Sequence, residues 1–302
     1  MAALLDRPAG PAADPTPARP VGRWRAGVGL LPFAGYLVVF LGCPLYFVVS
    51  GALSDPDGNP TLDNVIASIT EPQYRAAFIS SLLLSAVTAV VGAVFGAFLA
   101  QAVLIGPDRS PLRRIVSTAS GVLAYFGGVP LAFAFIAALG QTGLATIFLR
   151  TVGVDLYAAG FRIDSLTGLG LTYVYFQIPL MVILITPALE GLAPQWREAA
   201  ENLGASAWTY WRHVALPVLA PALGGATLVL FGNAFAAYAT ALALTSGSIP
   251  LVPTAIASAL SGNVLVGRQN VGLALGFDMV LVIAVVMIGY LVLQRRASRW
   301  SR

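Results

Sequence analysis

The chain has 302 residues, 58% of them hydrophobic and only 10% charged, with a formal net charge of +4. A soluble domain carries about 25% charged residues, so a mostly water-facing surface is excluded and hydrocarbon is the main solvent of this fold. All 17 basic residues are arginine. Without lysine there is neither a Walker A phosphate loop nor a Schiff-base amine, so any ATP-driven step needs another chain.

Residues 1–27 are rich in proline and alanine and predict a disordered tail. The tail lacks the apolar core that a signal peptide needs directly after its basic start, so the run beginning near Val28 reads as a retained helix. Six runs, at roughly 28–52, 76–103, 115–139, 168–190, 218–243 and 271–293, match the ~20 residues that cross a hydrocarbon core. They are continuous rather than alternating, which excludes a membrane barrel. Pro32, Pro44, Pro130 and Pro179 fall inside runs, as membrane helices tolerate. In the second run Gly92, Gly96 and Ala100 share one helix face and permit close approach of a neighbour.

Arginines sort by connection. Thirteen lie in the N-terminal tail, the second-to-third connection, the fourth-to-fifth connection and the C-terminal tail at 295–302; Arg75, Arg150, Arg162 and Arg268 lie on the other side. The positive-inside rule then puts both termini in the cytoplasm. No soluble face gathers the arginines, so nucleic acid is not an expected partner. In the outer connections, the apolar stretches within 141–167 and 249–262 suggest short helices at the surface or loops packed on the bundle. Cys43 is alone and reads as a small packed side chain, and the single histidine, His213, cannot build a multi-histidine metal site.

The fourth-to-fifth connection, 194–217, is the most informative segment. Pro194 suits a helix start, Glu198 and Glu201 favour its first turns, Gly204 suits its end, and Ser206 can cap a second helix through Trp208, Trp211 and Val214. Two short helices at an angle are expected. Within the spans, Asp278, Asn233, Tyr238, Tyr125 and Gln177 are the polar groups that mark a candidate translocation path. Against this, Asp278 lies close enough to its helix end to reach the interface, and the tyrosines fit an aromatic belt.

The segment Glu198-Ala199-Ala200, three residues, Gly204, nine residues, then Val214-Ala215-Leu216-Pro217 resembles the EAA motif of the permease subunits of type I ATP-binding-cassette importers. The spacing matches throughout, and valine at 214 replaces the usual isoleucine. The resemblance implies an all-α membrane fold of six helices over 28–294, with short cytoplasmic coupling helices between the fourth and fifth. It implies that Glu198, Ala199, Ala200, Gly204, Leu216 and Pro217 belong to the element that docks on an ATPase subunit. It also implies partners: ATPase subunits that bind ATP and Mg, a second permease, and an external substrate-binding protein. The stretch Tyr175–Val182 is similar to permeases of the polyamine, iron, thiamine and phosphonate group, where two distinct permeases are common. A small charged solute is therefore expected, polyamine first, carried by a heterodimer. A sugar-type permease is the alternative. A secondary transporter is disfavoured, since neither an inverted repeat nor paired intramembrane charges are evident.

Overall fold

The computed structural model describes residues 31–106, 110–261 and 269–300. The tail expected at 1–27, Arg109, the segment from Gly262 through Arg268 and the last two residues lie outside them. The chain divides into two units, Met1–Phe47 and Val48–Arg302. The first holds most of helix α1, Leu31–Ala52. Its backbone widens into a π turn at Val38–Gly42, just ahead of Pro44. Proline offers no N–H to the carbonyl four residues back and its ring crowds that carbonyl, and one extra residue in the turn relieves both. Tyr36 stacks on Phe40 with ring centroids 4.6 Å apart. Cys43 is exposed rather than packed.

The second unit contains α2 (Asp63–Thr70), α3 (Pro72–Leu104), α4 (Pro111–Leu123), α5 (Gly128–Leu139), α6 (Leu144–Thr151), α7 (Leu166–Glu190), α8 (Pro194–Asn202), α9 (Ala207–Phe235), α10 (Ala239–Thr245), α11 (Val252–Leu260) and α12 (Gln269–Trp300). Among the described residues, six segments are long and apolar enough to cross a membrane: α1, α3, the α5–α6 segment, α7, α9 and α12. The count agrees with the expected six, but two runs are not continuous helices. The third breaks at 124–127, where Gly127 caps α5 in an extended conformation, leaving α4 as a separate helix. The fifth ends at Phe235 and restarts as α10. Both breaks were invisible as hydropathy minima because the residues at the breaks are small or aromatic rather than charged. The last helix runs on through Trp300, past the tail boundary expected at 295. Helix α2 was not anticipated. It is one short element in an acidic connection, opened by Asp63 where negative charge suits the dipole.

The core is built on α3 and α7, which run parallel. A β-carbon at Gly92 would lie 2.6 Å from Gln177 Cβ, and one at Gly96 would lie 2.5 Å from Met181 Cβ and 2.7 Å from the Ile178 carbonyl oxygen. Ala100 is 1% exposed on the same stripe. Only hydrogen fits at these two glycines, which is the close approach expected from their spacing. Helix α9 packs against α3 and α7, and α12 packs on α9. Below the glycines, Ala93, Met181, Ile185, Leu219 and Leu230 fill one apolar cluster; Leu131, Leu169, Tyr173, Phe176 and Leu244 fill another. Helix α11 is a helix packed on the bundle. Its Val252 N–H donates to Ser81 Oγ at 2.9 Å, and Val252, Pro253 and Thr254 are buried.

Candidate coupling site and translocation path

Helix α7 ends at Glu190, and after three intervening residues Pro194 opens α8 at a position where its missing N–H has no partner to lose. Helix α8 has no buried residue. Arg197 and Glu201 pair at 2.9 Å one turn apart on its surface. Its end is closed by two backbone bonds: Ala205 N–H donates to Ala200 O at 2.9 Å and Gly204 N–H to Glu201 O at 2.9 Å. This is the Schellman arrangement, which needs a left-handed residue, and Gly204 has φ +76°. Ser206 then accepts the Thr209 N–H at 3.2 Å and caps α9. The sequence thus folds locally into a corner whose tip carries Glu198, Ala199 and Leu203, all exposed, Leu203 at 88%.

The second short helix expected beyond Ser206 is not separate. It is the first turns of α9, continuous with the fifth span through a π turn at Trp211–Ala215. Pro217 follows that turn and Pro221 lies further on, the same juxtaposition as at Pro44. Of the motif residues, Glu198, Ala199 and Gly204 therefore sit at the corner. Ala200 lends its carbonyl to the turn, while Leu216 and Pro217 begin the apolar part of α9. Tyr210 is buried, Trp211 packs on the α3–α7 cluster, and His213 Nδ1 lies 3.1 Å from the Thr209 carbonyl. These contacts root the corner in the bundle. Beneath α8 lies a cavity of about 1060 Å³ whose wall includes Gln101, Arg113, Glu190, Arg197, Glu201 and Trp211. Arg113 of α4 and Glu190 of α7 form an ion pair at its edge. Sequence reasoning missed this pair, since 77 residues separate the partners.

The five polar candidates divide into two groups. Tyr125 lies in the first break and is 84% exposed; Tyr238 lies in the second, just before α10, and Asn233 five residues ahead of it near the end of α9, both exposed. Gln177 and Asp278 are buried. Gln177 Nε2 donates to Leu230 O of α9 at 2.9 Å, while among the described residues its Oε1 has no hydrogen-bond partner. Asp278 Oδ2 accepts from Ser68 Oγ of α2 at 2.6 Å, so this carboxylate ties the unanticipated helix to the last span. The two breaks meet each other. Gly128 N–H donates to Thr240 Oγ1 at 2.8 Å, Thr240 Oγ1 donates back to Gly128 O at 3.3 Å, and the buried Tyr173 hydroxyl donates to Ala237 O at 2.8 Å. Backbone released by interrupted helices is thereby paired inside the protein, as a membrane interior requires. Thr240→Val keeps the side-chain shape and removes both bonds to Gly128. Leaving these part-buried Gly128 groups unsatisfied is expected to destabilise the protein by about 1 kcal/mol, read as a lower thermal midpoint in detergent. An unchanged midpoint would show that the tie is not made.

Residues 109–299, the stretch from α4 to the end of α12 that contains the corner and both breaks, match the family model described as "Binding-protein-dependent transport system inner membrane component". The chain belongs to this family. Its relatives include the sulfate transport system permease protein CysT of Escherichia coli K12, 32% identical over 158 residues, or 51% of this chain and 53% of that one. A probable sulfate permease of Marchantia polymorpha is 26% identical over 72% of this chain and 70% of its own length. The thiamine permease protein ThiP of E. coli K12 is 26% identical over 66% of this chain and 35% of its own. The chain spans about half the length (53%) of the enterobacterial CysT proteins it matches. Among solved structures, a bacterial transporter that imports the acidic polysaccharide alginate aligns at a TM-score of 0.68, with 17% identity over 92% of this chain and 96% of that one. The same system in complex with its pentasaccharide-bound periplasmic protein aligns at 0.70. The family's all-helical membrane fold is therefore the fold of this chain.

Proposed function

We propose that this chain is the membrane-spanning subunit of an ATP-driven importer, and that the corner at Glu198–Gly204 docks on a separate ATPase subunit that binds ATP and Mg. The observation that carries this reading is α8. A helix with no buried residue, closed by a Schellman turn and rooted by Tyr210 and Trp211, is a rigid projection with an uncovered tip. Rigid attachment and free surface together are what a mechanical coupling element needs, and the EAA spacing falls on that tip. By the order of the spans in the sequence, thirteen of the seventeen arginines fall in the tails and in the second-to-third and fourth-to-fifth connections, which supports a cytoplasmic location for α8 and both termini. A second, different permease chain completes the pore, and an external binding protein delivers solute to the opposite face.

In this reading the two facing helix breaks border the path. Tyr125, Tyr238 and Asn233 meet the solute, while Gln177 and Asp278 stand behind them and hold α7 to α9 and α12 to α2. The solute is small and charged. Relatives named for sulfate favour an oxyanion over the polyamine that the stretch around Gln177 suggests. Reconstitution of the chain with its ATPase, second permease and binding protein tests the function. Uptake of labelled sulfate is expected to stop when the ATPase is catalytically dead and to continue when an ionophore collapses ion gradients. The reverse pattern would establish a secondary transporter, and uptake of putrescine instead of sulfate would restore the polyamine assignment.

A further inference from the structure

We infer that the Arg113–Glu190 ion pair is a positioning device that carries movement of the coupling corner into the third span, an inference that rests on the coupling role proposed above. The covalent routes out of α8 are two. The link through Gly191 joins it to α7, and the turn at Gly204–Ser206 joins it to α9. Helix α4 has no such link. Arg113 of α4 and Arg197 and Glu201 of α8 line the same open cleft of about 1060 Å³, so the α4 end and α8 face each other across solvent. Walls that do not touch pass no push to each other. At the edge of the cleft a charge-assisted bond from the Arg113 guanidinium to the carboxylate of Glu190, the last residue of α7 before the corner, joins α4 to α7.

Both partners are held in place. The Arg113 backbone N–H is fixed by the Ser110 cap at 3.2 Å, and α4 packs along α7 above the pair. The bond therefore sits where α7, α4 and the start of the coupling segment converge. When α8 is displaced, α7 moves with it, and the pair drags the α4 end along. Breaking it leaves only the packing of α4 along α7 to carry that movement, so that the third span, whose break faces α10, follows the ATPase less closely. The side chains are 23% and 46% exposed, and a partly solvated pair adds little to overall stability. Coupling and folding are for this reason separable.

The test uses the complete complex in proteoliposomes, with wild type, Arg113→Glu, Glu190→Arg and the double exchange Arg113→Glu/Glu190→Arg. The readout is solute imported per ATP hydrolysed, alongside thermal midpoint and co-purification of the ATPase. Each single reversal is expected to lower that ratio by about fivefold or more, with ATP hydrolysis and midpoint near wild type, and the exchange to restore most of it. If a reversal disrupts assembly, Arg113→Lys and Glu190→Gln give the same comparison with smaller steps. Unchanged ratios in the single variants, or an exchange that stays uncoupled, overturn the inference. Wild-type complex that shows no ATP-dependent uptake overturns the importer reading instead, so the two failures are distinct.

Discussion

Gly204→Val is expected to lower ATP-driven uptake by about 5–30-fold while the six spans still insert. Gly204 occupies φ +76°, a region that places a β-carbon against the following carbonyl at about 1–2 kcal/mol, and a branched side chain raises this further. Nothing lies within 4 Å of the position where the β-carbon would stand, so the strain is conformational rather than steric. The chain escapes it by leaving the left-handed region. That movement opens the bonds from Ala205 to Ala200 and from Gly204 to Glu201 and swings α8 away from its set angle to α9. A penalty of about 2 kcal/mol lowers the population of the docking geometry by a factor of about 5–30, and uptake falls in proportion. Gly204→Ala is expected to show a smaller loss, and Gly204→Asn the smallest, since asparagine visits this region. Uptake and retention of the ATPase on the purified chain measure the effect. Wild-type uptake in the valine variant would remove the turn from the mechanism.

The second large effect is expected at Gly96. A β-carbon there meets Met181 Cβ at 2.5 Å and the Ile178 oxygen at 2.7 Å, and one of these is backbone that cannot rotate away. Gly96→Val must push α3 from α7 along a stripe that also contains Gly92 and Ala100. Overpacking of this kind costs about 1–3 kcal/mol, and here it is joined by lost contacts of Met181 and Ile185 in the cluster below. The thermal midpoint of the purified protein is expected to drop well below that of Gly96→Ala. A wild-type midpoint in Gly96→Val would show that α3 and α7 do not touch here.

These two glycines illustrate what the sequence made legible. Gly96 sits on a four-residue repeat, and Gly204 sits at a motif position six residues after Glu198 and ten after a helix-starting proline. Local pattern named both, and the spans and the corner followed from the same short-range signals. The missing features are long-range. Hydropathy averaged over a window stays high through Tyr125-Phe126-Gly127 and through Ala236-Ala237, so neither break was visible until Gly128 was seen bonded to Thr240. Arg113 counted toward topology and Glu190 toward nothing, because their pairing spans two helices and a connection. Asp278 stands out in the sequence as a carboxylate within a span. Its partner Ser68 belongs to α2, whose eight residues are too short a run to signal a helix in advance.

The stripe of small residues has one more consequence. Where Gly92 and Gly96 let main chain touch main chain, α3 and α7 cannot slide or pivot without opening a gap that no lipid tail can fill. The two helices form a keel. In the importer proposed above, rocking that exposes the solute to one side and then the other carries them as one beam, and the bending falls to the unwound joints at 124–127 and 236–238.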